Sequence, residues 1–160
     1  MKAKILFMCT AALLFAGCKP IIKPFTPVEV DCEAIYIKWI YEPGVTDPAE
    51  PEVRIINSVA DYLPLEIEFS IGEWTFDTLK VPISDINFVT QQIVVVISER
   101  IIQDGYDIQL DSVIEYENHI EVSIRKIQSM LTSTGRMVMF ILMSKTSKTI
   151  QTKWFFRDRV

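Results

Sequence analysis

Residues Ile93 to Ile97 read IVVVI, and residues Met137 to Met143 read MVMFILM. Each run is apolar throughout and has the length of one β-strand. A continuous apolar run of this length is typical of a strand that is buried on both faces of its sheet. The two runs therefore predict two buried strands in the centre of the fold.

Around these runs, apolar and polar residues alternate, with turn residues every eight to twelve positions. Alternation with a period of two is typical of strands that bury one face. The Asp104-Gly105 pair predicts a turn before Tyr106, and Glu117-Asn118 predicts a hairpin. The predicted strands are Val28 to Tyr41 with a bulge or face change near Ala34, Leu65 to Ile71, Tyr106 to Val113, Ile120 to Ile127, and Ile150 to Phe156.

One short helix interrupts the predicted strands. Ser58 can cap its start, and Pro64 is expected to end it after about one turn. Residues Glu42 to Glu52 contain three prolines and four acids, which predicts a solvated loop. The predicted fold class is mainly β: a small single-domain β-sandwich or partly open barrel with one short helix.

The first residues, MKAKILFMCTAALLFAGC, place two lysines before an apolar run from Ile5 to Gly17. A thirteen-residue run spans about 20 Å as a helix, which is too short for a hydrocarbon core about 30 Å thick, so a secretory signal is predicted rather than an anchor. Leu14-Phe15-Ala16-Gly17-Cys18 resembles a bacterial lipoprotein box. The resemblance implies cleavage between Gly17 and Cys18 and lipidation of Cys18.

The predicted organisation is a lipoprotein signal peptide at 1–17, a proline-rich tether at 18–27 and one β-rich domain at 28–160. Three prolines favour an extended tether of roughly 25 to 30 Å. Loss of Lys2 and Lys4 with the signal would change the net charge from −5 to −7. An acidic chain is poorly suited to binding nucleic acid, whose phosphates attract basic surfaces. Lys19 stands where enteric lipoproteins retained in the inner membrane have Asp, and by that resemblance an outer-membrane location is expected.

Residues for catalysis or cofactor binding are scarce. His119 is the only histidine, and the five glycines form no phosphate-binding pattern. Asp104, Asp107 and Asp111 do not have the spacing of an EF-hand loop, and Asp107 and Asp111 are expected on one solvated strand face. We therefore predict no enzyme activity, no metal and no cofactor.

Two residue types leave alternatives open. Cys32, the only cysteine left with a free thiol after lipidation of Cys18, is either a small buried residue of a strand or a reactive thiol, and a hydrolase would need reactivity at Cys32 or Ser98. Aromatic residues could form a platform for sugars or could pack in the core. The glycan interpretation needs exposure of at least two of Trp39, Trp74 and Trp154.

From Ile86-Asn87-Phe88 onward, the order of features resembles the C-terminal domain family of the protease-complex subunit PrcB, over about residues 54–156. Asn87 and Asp104 replace that family's usual Asp and first Gly. The resemblance implies a non-enzymatic envelope lipoprotein whose eponymous member assembles with a surface protease. The other segments on which the resemblance rests are Arg54 to Ser58, Ile93 to Ile97, the Gly105-Tyr106 turn with the strand to Val113, and Ile120 to Ile124.

These observations predict a protein-interaction module that is attached to the membrane by a lipid on Cys18 and binds an envelope protein, with a protease as one candidate. The candidate surface comprises the Glu42 to Glu52 loop and the Gly105-Tyr106 turn. An exposed edge strand is a candidate mode of binding, because it offers unpaired backbone groups. Glycan binding is the alternative.

Overall fold

A computed structural model describes residues 24–42, 44–70, 81–101, 106–128 and 134–156, and within residues 66–70 it describes the backbone. The secondary structure of these ranges is mainly β. The strands are β1 (Val28–Glu29), β2 (Cys32–Tyr41), β3 (Glu52–Ile56), β4 (Gln91–Ile97), β5 (Tyr106–Glu115), β6 (His119–Gln128), β7 (Gly135–Ser144) and β8 (Thr149–Phe156); α1 is Val59–Ser70, and a 3₁₀ turn spans Ile83–Asp85.

The described strands form two four-stranded sheets that do not close into a barrel. Sheet A has the order β1-β5-β6-β8, and sheet B has the order β2-β7-β4-β3. All neighbours are antiparallel except β6 and β8, which are parallel. The predicted fold class is confirmed as the small sandwich.

Sheet B is buried on both faces. One face packs against sheet A, where Val94, Val96 and Met139 meet residues of β5 and β6. The other face is covered by α1 and by residues 81–88, which pack against the intervening residues of β4 and β7. The two apolar runs are therefore confirmed as central strands, because their side chains alternate between two separate hydrophobic clusters.

Two bulges adjust which side chains face the core. The pairing of β2 with β7 shifts between Ala34 and Tyr36, as the sequence predicted, and the pairing of β5 with β6 shifts between Leu110 and Ser112. An extra residue in one strand reverses the parity of all residues after it. In β2, the even-numbered Cys32 and Ala34 before the bulge and the odd-numbered Trp39 after it therefore all face the cluster between the sheets.

The prediction of one strand from Val28 to Tyr41 was wrong. β1 pairs with β5 in sheet A, whereas β2 pairs with β7 in sheet B, so the chain crosses between sheets at Val30 and Asp31. Alternation continues across the crossing because both strands bury one side. Periodicity alone does not show which sheet a strand joins.

The prediction that Pro64 ends the helix, with a strand from Leu65 to Ile71, was also wrong. α1 continues through Pro64 to Ser70, and Ile71 lies outside the described residues. Ser58 does cap the helix, since its Oγ accepts a hydrogen bond of 3.2 Å from the Asp61 backbone N–H. An interior proline costs about 3 kcal/mol, but extending an existing helix is easier than nucleating one, and Tyr62 and Leu65 are buried against sheet B.

The turns follow the predictions more closely. Residues 42–51, which we call the acidic loop, connect β2 to β3, so Glu52 is the first strand residue rather than the last loop residue. Glu117 and Asn118 lie in the predicted β5–β6 hairpin, which is closed by a 2.8 Å hydrogen bond from Tyr116 N–H to the carbonyl of His119. Within the described ranges, no helix is long and apolar enough to cross a membrane.

Gly135, at the start of β7, is required by close packing. A Cβ at this position would lie 2.7 Å from two ring carbons of Trp39 and closer still to the carbonyl oxygen of Ile40. We expect Gly135→Ala to lower the free energy of unfolding by about 3 kcal/mol, because the obstructing backbone cannot move without breaking the β2–β7 pairing. Urea denaturation measures this change.

Gly44→Ala is the matched control. Gly44 has φ of 76°, but a Cβ added there would meet nothing within 4 Å, so its substitution should cost only the backbone strain of about 1 kcal/mol. Equal losses for the two variants would contradict the assignment of a packing role to Gly135.

Candidate functional site

The sequence-predicted site residues fall partly outside the described ranges. Gly17, Cys18 and Gly105 lie outside them, and so does Trp74. Tyr106 is the first residue of β5 and is 6% exposed, so its side chain is part of the interior. The surface predicted at the Gly105-Tyr106 turn is therefore not formed by the Tyr106 ring.

The residues considered for catalysis have structural environments. Ser98 is fully buried; its Oγ accepts a 2.8 Å hydrogen bond from Met137 N–H and donates one of 2.7 Å to the carbonyl of Glu99. His119 stacks on Tyr116 with ring centroids 4.8 Å apart. No group of three or more potential metal ligands occurs among the described residues.

Cys32 is half-buried and free at the start of β2. Burial, followed by the charges of Asp31 and Glu29, raises the pKa of its thiol. A raised pKa disfavours the thiolate, which is the reactive form. The environment therefore favours the interpretation of Cys32 as a packing residue.

The acids and tryptophans considered for binding also have local partners. Asp107 and Asp111 are both exposed, and Asp111 forms an ion pair with Arg125. Trp39 and Trp154 are half-buried and pack against the cluster between the sheets. This packing uses ring surface that a sugar platform would need.

Two arginines hold the acidic loop against the end of the sandwich. The Arg100 side chain donates a 2.6 Å hydrogen bond to the Glu42 carboxylate and a second hydrogen bond to the carbonyl of Asp47. Arg136 donates a 2.9 Å hydrogen bond to the carbonyl of Glu50. The loop is solvated as predicted, but these contacts tie it to β7 and to the segment after β4. We call this region of the molecule the loop end.

A buried cation lies next to this segment. Lys126, near the end of β6, is 8% exposed, and its ammonium group pairs with the Glu99 carboxylate. The ammonium nitrogen lies 4.8 Å from the ring centroid of Tyr106, 5.3 Å from that of Trp154 and 5.0 Å from that of Phe156. We call these three rings and the Glu99 carboxylate the cation cage.

The cage shifts the pKa values of Glu99 and Tyr106. Burial alone would raise the pKa of Glu99, but hydrogen bonding to Lys126 and Tyr106 and the charge of Lys126 outweigh it, so the Glu99 pKa is lowered. Burial, followed by the Glu99 carboxylate, raises the pKa of Tyr106. The Tyr106 hydroxyl and Glu99 Oε2 are buried neighbours, yet neither makes a hydrogen bond of standard geometry within the described residues.

A second feature is the open side of the sandwich, which is bordered by β1 and β2. Among the described strands, β2 pairs with β7 alone. β1 pairs with only the last two residues of β5, Ile114 and Glu115. The ten-residue β2 thus presents a long edge. Ile37 and Tyr41 are exposed along it.

The direction of the backbone groups on this edge follows from one hydrogen bond. The Glu42 N–H donates a 3.0 Å hydrogen bond to the carbonyl of Thr134, which directly precedes β7. The backbone groups of Glu42 therefore point toward β7. Because strand residues alternate in direction, the backbone groups of Ile37, Trp39 and Tyr41 point away from β7. These groups can accept another strand.

Residues 24–27, the described part of the predicted tether, lie at the opposite end from the cage. The ring of Phe25 lies 4.8 Å from the Lys148 ammonium nitrogen, which also donates 2.6 Å to the carbonyl of Tyr116 in the β5–β6 hairpin. β6 runs from this hairpin to Gln128, and its eight residues from His119 to Lys126 span about 24 Å. The N-terminal segment therefore enters the fold far from the loop end.

Comparisons with protein-family models, with curated proteins and with solved structures gave no match for this chain. The resemblance to the PrcB C-terminal domain family stays a prediction.

Sequence analysis missed the cation cage, although one signal was present. Ile120, Val122 and Ile124 are buried toward the core, and Lys126 continues the same alternation. A charged residue in register with core positions requires a partner, because an isolated buried charge is strongly unfavourable. The partner could not be deduced, since Glu99 is distant in sequence and belongs to no predicted strand.

We expect Lys126→Met to lower the free energy of unfolding at pH 7 by about 2 kcal/mol, because it leaves Glu99 without its partner while a third of that side chain remains in water. Since the folded-state pKa of Glu99 is lowered, the stabilisation is complete above the unfolded-state pKa, near 4.3, and decreases as the pH falls through the folded-state value. Urea denaturation across this pH range tests both effects.

The control is the double variant Lys126→Met/Glu99→Gln, which removes the unpaired charge. It should recover part of the stability that Lys126→Met loses. A loss that is the same at pH 3 and pH 7, with no recovery in the double variant, would contradict an electrostatic role for the pair.

Proposed function

We propose that this protein is a non-enzymatic lipoprotein of the bacterial envelope, anchored through Cys18, that binds an extended segment of a partner protein by addition to β2. The observation that carries the proposal is the ten-residue β2 edge, whose outer backbone groups are unpaired among the described residues. Long unpaired edges promote strand pairing, and natural proteins usually shorten, charge or cover them.

The side chains beside this edge define the sequence that it would accept. Ile37, Trp39 and Tyr41 lie on one face of the edge, and Lys38 lies on the other. An added strand would place alternate side chains over these two faces. A matching segment would therefore have apolar or aromatic residues at every second position.

The position of the tether suits this function. If Cys18 carries the lipid, the tether meets the domain at the β5–β6 hairpin, near Phe25 and Lys148. The loop end is then directed away from the membrane, and the β2 edge is accessible from the envelope space. The PrcB resemblance supports an envelope protease as the partner class, and Lys19 supports the outer membrane.

Glycan binding has less support than protein binding. The two described tryptophans, Trp39 and Trp154, are half-buried against the core. A sugar platform requires an exposed ring face. The free strand edge instead offers backbone donors and acceptors that suit a polypeptide.

We expect Ile37→Pro to abolish capture of the partner from native envelope extract by the immobilised chain from residue 18 bearing Cys18→Ser. Proline removes an outward N–H and obstructs strand addition, but it leaves the bonds to β7 intact. Quantitative mass spectrometry of retained proteins gives the measurement, with a loss of at least tenfold expected.

Ile55→Pro is the matched control. Ile55 lies on β3, the opposite edge of the same sheet; it is 43% exposed, compared with 45% for Ile37, and the register also directs its N–H outward. If proline unfolds either variant, Ile37→Lys and Ile55→Lys repeat the comparison. Equal retention by the two edges would contradict addition at β2.

A second prediction concerns the anchor. We expect the wild-type protein in bacteria to incorporate a clickable palmitate analogue and to fractionate with the outer membrane. Cys18→Ser should remove the label and release the protein from membranes, whereas Cys32→Ser should change neither. Labelling that persists in Cys18→Ser would contradict the lipid anchor.

A further inference from the structure

The cation cage has the composition of a site that binds organic ammonium ions. Three aromatic faces within 5.3 Å of one nitrogen provide cation–π attraction, and the Glu99 carboxylate provides the counter-charge. Proteins that recognise ammonium ligands use such aromatic cages. Here the described contacts place the side chain of Lys126 in that position.

Lys126 does not use all the polar groups around it. The Tyr106 hydroxyl and Glu99 Oε2 are both buried, and apart from their contact with each other neither has a hydrogen-bond partner within the described residues. A buried polar group left unpaired typically costs about 1 to 3 kcal/mol. The cage therefore retains hydrogen-bonding capacity beyond what its own lysine requires.

One wall of the cage is exposed to solvent, although Lys126 itself is buried. Phe156, the last described residue of β8, is 66% exposed although it forms one wall. Its ring contacts the Tyr106 ring edge-on at 5.9 Å. Movement of this single ring would open the ammonium position to solvent without disturbing the apolar cluster between the sheets.

We propose that the cation cage is a binding site for a primary alkylammonium group, such as a lysine side chain of a partner, and that Lys126 occupies it in the free protein. Exchange of one ammonium group for another preserves the ion pair with Glu99 and the contacts with the three rings. This site is separate from the β2 edge and does not depend on strand addition.

The test is chemical rescue of Lys126→Ala, which empties the cage, by n-butylammonium. At ten times its dissociation constant, the ion should raise the melting temperature of the variant by about 4 °C. n-Butanol, which has the same carbon chain without the charge, should give less than a quarter of this rise. Wild-type protein should show a smaller rise that needs a higher concentration, because butylammonium must displace Lys126; no rise in the wild type at any concentration would contradict exchange.

Lys153→Ala is the control variant. Lys153 lies on β8 with 63% of its side chain exposed, and its nearest carboxylate is Glu121 at 3.5 Å. Butylammonium should not stabilise this variant. If Lys126→Ala is unfolded on its own, the readout is the return of the folded circular-dichroism spectrum on addition of the ion. The proposal is overturned if butylammonium has no effect on Lys126→Ala, or if butanol or Lys153→Ala shows the same response.

Discussion

The burial of sheet B on both faces is the constraint on which the rest of the structure depends. β4 and β7 carry polar side chains only near their ends, so each face of their sheet must be covered. Sheet A covers one face, and α1 with residues 81–88 covers the other. This requirement explains why the helix continues past Pro64: the contacts of Tyr62 and Leu65 with sheet B offset the cost of an interior proline.

Sheet A is built on a different principle, because the described residues cover only one of its faces. The outward residues of β5, such as Asp107 and Asp111, are polar and exposed, while Ile108 and Val113 face the core. A bulge between Leu110 and Ser112 keeps this division over the whole strand. Among the described residues, the short β1 leaves the adjoining side of the sandwich open, and the β2 edge is unpaired there.

The ends of the sandwich differ in chemistry, and this difference gives the molecule a direction. At one end, Lys148 joins Phe25 of the N-terminal segment to the β5–β6 hairpin. At the other end, Arg100 secures the acidic loop, and the neighbouring Glu99 reaches into the cation cage. Two consecutive residues thus connect the loop surface to the interior. A ligand bound in the cage would contact the same segment that positions the acidic loop.

The sequence by itself determined the fold class, the two central strands, the β2 bulge and the β5–β6 hairpin. Each of these depends on local periodicity or on a short turn motif. The tertiary structure decided which sheet each strand joins, how far α1 extends, and that Lys126 meets Glu99 and three aromatic rings. Those outcomes depend on contacts between residues far apart in sequence, and the period of a single strand carries no information about its partner.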